Sequence, residues 1–179
     1  MRRKPVPRLS ALLVIAVLAT MVVVADRISK DIAERTLAAG ARPFIANMIE
    51  FRLTYNSGAA WGIMQGARVY FLIIAVVTIA VVLAYLMSVK QHPAMVVIGF
   101  GIFIGGSIGN AIDRLLAGRV VDFLNLLFMD FPVFNIADCA ITIGAILVFL
   151  SIFISSRTSS VADEDLVADT EGAADGAGV

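Results

Sequence analysis

The sequence is poor in the side chains on which most enzyme chemistry depends. It has one cysteine, Cys139, and one histidine, His92, in 179 residues. A single cysteine excludes an intramolecular disulfide framework. A serine triad needs a histidine, and His92 lies in a short basic connection away from the other polar residues. Structural and catalytic zinc sites prefer His and Cys ligands, so no metal site is expected. Charge is scarce as well: only 16% of residues are charged and 60% are hydrophobic, against about 25% and about 45–50% in soluble domains. No basic run is long enough to suggest nucleic-acid binding. The length argues against a large multidomain enzyme.

What is abundant is apolar sequence, with a mean hydropathy of +0.93. Four stretches, about 9–25, 69–89, 94–112 and 133–156, approach or exceed the roughly 20 apolar residues that cross a bilayer. The third is rich in glycine (Gly99, Gly101, Gly105, Gly106, Gly109), which suits close helix packing in lipid. The first follows Arg2, Arg3, Lys4 and Arg8 and could be read as a cleaved signal peptide. It is longer than the usual apolar core of one, and is read as a retained span. The fold class expected is an all-α membrane protein of four transmembrane helices (residues 1–156) with a small extracytoplasmic β-sheet.

Basic residues set orientation. Those before span one place the N-terminus in the cytoplasm, with the connection Lys90-Gln91-His92-Pro93 and the C-terminus on the same side. Two outer loops result, about 26–68 and 113–132. Arg27, Lys30, Arg35, Arg42, Arg52 and Arg68 in the first run against this assignment, and the first helix is taken to dominate. Residues Asp31–Ala39 read as a helical extension of span one, ended by Gly40 and Pro43. Ile49, Phe51, Leu53 and Tyr55 alternate with Glu50, Arg52 and Thr54, the period of a half-buried strand. Asn56-Ser57-Gly58 then reads as a turn. Net charge is zero, but six of the 14 acids lie in the last 17 positions. Residues 157–179 are expected to be a disordered acidic cytoplasmic tail.

Ionisable residues in or beside spans are costly and point to function. Asp26 and Lys30 end span one. Asn110, Asp113 and Arg114 end span three, Asp122 lies in the following loop, and Asn135 and Asp138 open span four. All are expected at one membrane face. Asn110 and Arg114 are i,i+4 neighbours, and Asn135 and Asp138 are i,i+3. Asp122 and Asp138 can therefore meet there. Two carboxylates about 3 Å apart share a proton. The ionised member can deprotonate water while the protonated one hydrogen-bonds a carbonyl oxygen, which amounts to amide hydrolysis without a covalent intermediate.

Plainer readings compete. Asp138 could be a helix cap, Asp113 beside Arg114 an ion pair or a capping group, and Asp26–Lys30 a structural pair at the interface. Cys139 reads as a small apolar filler, His92 as a turn residue, and Trp61 and Tyr55 as interfacial aromatics. On residue chemistry alone a proton-coupled carrier fits nearly as well as a peptidase, and a non-catalytic membrane subunit remains a third reading.

Five segments carry a resemblance: Asp26-Arg27-Ile28-Ser29-Lys30, Asn56-Ser57-Gly58-Ala59-Ala60-Trp61, Gly105 through Arg114, Val120-Val121-Asp122-Phe123 and Phe134-Asn135-Ile136-Ala137-Asp138. In order and across four spans, they resemble the lipoprotein signal peptidase (signal peptidase II) family of bacterial inner membranes. Trp61 stands where that family usually has Phe, and Phe131-Pro132 where it has Trp-Pro. The resemblance implies an intramembrane aspartic endopeptidase with Asp122 and Asp138 as the catalytic pair. Asn110, Arg114 and Asn135 would position the dyad and the substrate backbone. Asn56 would lie in an outer β-sheet cradle, and Asp26 and Lys30 would shape the site's edge. The implied substrate is a diacylglyceryl-modified prolipoprotein cut just before its lipidated cysteine, with no cofactor, a lipid environment, sensitivity to globomycin and action as a monomer.

Overall fold

The computed structural model describes residues 5–58 and 66–175, with side chains to residue 155. Four helices dominate: α1 (Arg8–Leu37), α2 (Arg68–Ser88), α3 (Ala94–Ala117) and α4 (Ile136–Asp175). Each contains a segment long and apolar enough to cross a membrane, which in α4 is Ile136–Ser155. Five short strands accompany them: β1 (Val6–Pro7), β2 (Arg42–Ile45), β3 (Ile49–Asn56), β4 (Gln91–His92) and β5 (Val120–Leu126).

Helix α3 is the centre of the bundle, with α1 and α4 packed closely on it and α2 more lightly. Its glycines explain how three backbones approach so closely. A Cβ on Gly105 would lie 2.8 Å from the Ala19 carbonyl oxygen of α1, and one on Gly106 would lie 2.4 Å from the Ala137 carbonyl oxygen of α4. Ala11, Ile15 and Ala19 of α1 are buried with Val82, Leu86, Val97 and Ile104 in one apolar cluster. The outward face of α1 carries Leu9, Leu13, Val17, Met21 and Val24, all exposed. That inversion, small residues inside and large apolar ones outside, suits lipid as solvent.

Helix α1 carries the expected extension of span one and runs unbroken to Leu37, 30 residues or about 45 Å, so its last turns project beyond a bilayer core of about 30 Å. The sequence expectations and the structure differ at three places. Helix α4 begins at Ile136 rather than at residue 133, because Asn135 caps it. The loop expected at 113–132 contains strand β5. The tail expected to be disordered continues α4, whose backbone is helical to Asp175. No glycine or proline occurs between residues 145 and 171, and extending a helix costs far less than starting one.

One sheet, in the order β2-β3-β5, is antiparallel throughout and lies at the end of the bundle where α3 finishes. Gly118, at φ 74°, caps α3 through its N–H to the Arg114 carbonyl and turns the chain into β5 within two residues. Thr54 pairs with Asp122 and Asn56 with Val120, so Asn56 and Asp122 are diagonal neighbours on one face. Phe123 faces the other way, where it packs with Ala33 and Leu37 of α1. The projecting end of α1 is thus the floor on which the sheet rests.

At the opposite end, β1 pairs with β4, and the Arg8 N–H and Nε donate to the Lys90 and Val89 carbonyls. His92, expected as a turn residue, is wholly buried in this ribbon, with Nε2 3.2 Å from the Leu86 carbonyl oxygen.

Gly106→Ala should push α4 off α3. It is expected to lower stability by about 1–3 kcal/mol, the usual cost of overpacking, read from thermal unfolding in detergent. An unchanged Tm would show that the two backbones can part freely.

Candidate active site

The polar residues singled out in the sequence come together where α1, α3, α4 and β5 converge. Their foundation is a set of buried charges. Lys30 is 1% exposed, Asp26 0% and Asp113 3%. The Lys30 ammonium lies 2.8 Å from Asp26 Oδ2 and 2.8 Å from Asp113 Oδ2, and Arg27 pairs with the other Asp113 oxygen. The three buried charges carry one surplus negative charge, which Arg27 offsets from an exposed position, its side chain 44% accessible, so that each buried carboxylate has a cationic partner. Asp113 therefore does not pair with Arg114, as the sequence suggested. Consecutive helical residues point about 100° apart, and Asp113 turns to α1 while Arg114 turns to α2. The Asp26–Lys30 pair forms as expected, but in the interior rather than at an interface.

Each carboxylate here also fixes another element. Asp26 Oδ1 accepts the Ala137 N–H at 3.1 Å, an orphan donor in the first turn of α4. Asp113 Oδ2 accepts the Val121 N–H at 3.3 Å, next to Asp122. Gly109 makes room for this, since a Cβ there would lie 2.6 Å from Asp26 Oδ2.

Above the charges lie three amides, all with one sense. An ammonium can only donate, so the Lys30 contact at 3.0 Å identifies the Asn110 atom facing it as the oxygen. Asn110 Nδ2 is thereby turned to Asp138 Oδ1, at 2.7 Å. Asn135 is the N-cap of α4: its Oδ1 accepts the Asp138 N–H at 2.9 Å, and its own N–H donates to Asp138 Oδ2 at 3.2 Å. This is a reciprocal capping box, so the capping role weighed for Asp138 is real and coexists with its place in the site. Asn135 Nδ2 is left to donate to Asp122 Oδ1 at 2.6 Å. Asn56 Oδ1 accepts the Gly58 N–H, which points Asn56 Nδ2 at Asp122 Oδ2, 3.1 Å away. All four oxygens of Asp122 and Asp138 receive an N–H, and Asn135 touches both residues.

Asp122 is 2% exposed. Burial, and then the negative charge of Asp138, push its carboxyl up to about 6, while the Asn56 and Asn135 hydrogen bonds and Lys30 pull the other way. The two acids border a cavity of about 640 Å³ lined also by Asn56, Arg114, Phe134 and Thr142. Arg114 holds the rim: its guanidinium donates to the Gly58 and Asn110 carbonyls at 3.2 and 3.3 Å and lies 4.7 Å above the Phe71 ring of α2.

Cys139, read as a filler, is half-buried in the cavity wall beside Asp138. Tyr55 is partly exposed, as an interfacial aromatic would be, and the Arg119 guanidinium stacks on it at 3.8 Å. Trp61 lies outside the described residues. Phe131 and Phe134 meet edge to face at the cavity rim. Sequence reasoning missed Asp113 as the anchor of β5. It also missed Arg27, whose one signal was its place beside Asp26 in the first motif. Among the described residues no group of three or more His, Cys, Asp or Glu side chains is arranged to hold a metal.

The sequence profile of the family described as Signal peptidase (SPase) II matches residues 18–154. The chain belongs to the signal peptidase II family. It is 39% identical over 143 residues to a lipoprotein signal peptidase of Lactobacillus johnsonii, covering 79% of this chain and 93% of that one. With that of Ectopseudomonas mendocina it shares 37% identity over 153 residues, 81% and 90% of the two chains. A solved bacterial membrane enzyme, determined in meso at 2.3 Å, superposes with a TM-score of 0.76 at 30% identity, over 88% of this chain and 96% of that one. A second, at 1.9 Å, gives a TM-score of 0.71 at 31% identity, over 85% and 97%. As a signal peptidase II-type enzyme the chain is a peptidase and a bacterial multi-pass membrane protein, and the buried polar cluster lies wholly within the matched region.

Lys30→Met leaves Asp26 and Asp113 without their shared partner. It should cost about 3–5 kcal/mol of stability, as removal of one member of a buried pair does, and adding Asp26→Asn should recover part of this. Chemical unfolding of the single and double variants in detergent measures both. A single variant as stable as the parent would mean that the charges are solvated.

Proposed function

We propose that the protein removes the signal peptide from diacylglyceryl-modified prolipoproteins, cutting just before the lipidated cysteine with Asp122 and Asp138 as a catalytic dyad. The observation that carries this reading is Asn135, one residue that donates to both acids at the wall of the large cavity, to Asp122 through its side-chain amide and to Asp138 through its backbone N–H. Its capping of α4 and its grip on β5 hold the two carboxylates in register with no contribution from the substrate. The reaction follows from their shared proton. The ionised carboxylate takes a proton from water, and the hydroxyl oxygen attacks the scissile carbonyl. The protonated carboxyl hydrogen-bonds the carbonyl oxygen as charge develops there. The resulting tetrahedral intermediate collapses as a carboxyl gives its proton to the departing amine. Neither a metal nor an organic cofactor is needed for these steps.

Asn56, Asn110 and Asn135 act by turning only N–H donors toward the acids. Arg114 meets the substrate backbone at the rim, and Asp26 and Lys30 support Asn110 and the start of α4. In the bacterial inner membrane the N-terminus and the end of α4 face the cytoplasm, and the sheet and dyad lie at the outer boundary. There the acyl chains of a lipidated substrate can stay in the bilayer while its peptide bond reaches the acids. One chain supplies both aspartates, so a monomer is complete, and globomycin is expected to block it. The gathering of polar groups at one end of the bundle argues against a carrier, which would place them near mid-membrane on broken helices.

Asp122→Asn and Asp138→Asn should each lower cleavage at least about 10³-fold while the protein still folds. Asp113→Asn should act mainly on stability. A gel-shift assay on purified enzyme with a diacylglyceryl-prolipoprotein decides this; an active Asp122→Asn variant would remove the dyad. A pH series checks folding independently. The folded-state pKa of Asp122, about 6, lies above the usual carboxylate value, so its ionisation opposes folding. This contribution favours the folded state below the unfolded pKa and is lost as pH rises through about 6. Between pH 5 and 8 the parent should lose Tm relative to Asp122→Asn.

A further inference from the structure

A second cavity, of about 240 Å³, reaches Asp138 from another side. It lies between α2, α3 and α4 and shares Phe71, Arg114 and Asp138 with the large one. Positions on α4 tell the two apart. Cys139, Thr142 and Ile143 line the large cavity, at about 100°, 40° and 140° from Asp138 around the helix. Ile141 lines the small one, at about −60°. Asp138 stands on the ridge between them.

The small cavity has a mixed lining, with polar side chains set among apolar ones. Thr78 of α2 and Ser107 of α3 line it together with Asn110. Thr78 is ten residues from Arg68, and Ser107 ten residues from Ala117, so both hydroxyls lie about 15 Å below the helix ends, at one depth. Ser107 Oγ donates to the Phe103 carbonyl at 2.9 Å, and its lone pairs remain as acceptors. The volume admits several water molecules, and the polar partners needed to hold them are present. Hydrolysis consumes one water per peptide bond, and a substrate filling the large cavity covers the acids from that side.

We propose that the small cavity is a water site that supplies the dyad while substrate occupies the large one. The inference rests on the dyad reading. An acyl chain is the competing occupant, and the hydroxyls and the amide favour water.

The test introduces Thr78→Cys into a Cys139→Ala background in lipid nanodiscs and adds a charged, water-soluble methanethiosulfonate reagent. Val76→Cys, on the exposed face of α2, is the comparison. Labelling at 78 but not at 76 is expected, and should persist when Asp122→Asn abolishes cleavage. Absence of labelling at 78, or equal labelling at both positions, would overturn the proposal. In parallel, the Thr78→Val, Ser107→Ala double variant should lower kcat about tenfold with KM unchanged, as expected for loss of ordered water rather than of substrate contacts. An unchanged kcat, or a KM that alters with the substrate's acyl-chain length, would equally overturn it. Cleavage by Asp122→Asn, whatever the labelling, would instead be a failure of the dyad reading.

Discussion

A lysine ammonium with almost no access to water cannot be left to choose its partners. Lys30 lies between Asp26 of its own helix and Asp113 of α3, and in so dry a place each ionic contact depends on the others. The rest of the site stands on that arrangement. Asp26 reaches from the pair to the first turn of α4, and Asp113 reaches to β5 beside Asp122. Asn110, facing a group that can only donate, has one orientation open to it. The sense of every amide hydrogen bond around the two acids follows from where positive charge and backbone N–H groups are fixed below and beside them.

The helices are arranged to make this possible. The glycines of α3 bring α1 and α4 within backbone contact on either side, so that residues from three helices meet at one depth. The same closeness buries Lys30, Asp26 and Asp113, and buried charges are tolerated only when paired. The sheet contributes the other half. Because α1 continues past the bundle, β3 and β5 have a floor for Phe123 and Leu53, and the opposite face of β5 is free to present Asp122 to the cavity. Strand alternation thus separates the apolar support from the acid.

Much of this was legible in the sequence and some was not. The four apolar runs, the alternation from Ile49 to Tyr55 and the gathering of polar residues near span ends are local periodicities, and each appears in the fold. Strand β5 escaped because Val120-Val-Asp-Phe-Leu-Asn-Leu does not alternate: it is covered on both faces, by α1 and by the site, so a short apolar run was the only local signal. The pairing of Asp113 with Lys30 joins residues 83 positions apart, and no spacing rule reaches that far, whereas its neighbour Arg114 offered an easy local alternative. The β1–β4 ribbon is two residues long on each side, too short to have a period. The helical backbone beyond Ser155 defied a compositional expectation because no glycine or proline interrupts residues 145–171 and a helix already under way is extended at little cost.

The i,i+4 spacing of Asp26 and Lys30 has a meaning for biogenesis. During synthesis α1 enters the membrane well before α3 exists, so neither Asn110 nor Asp113 is available to it. One helical turn apart, the two side chains can neutralise each other on a solitary helix, which lowers the cost of inserting it. When α3 arrives, Lys30 keeps its first partner and gains a second. The ion pair that supports the finished site is therefore also the escort that lets its first helix wait in lipid for the others.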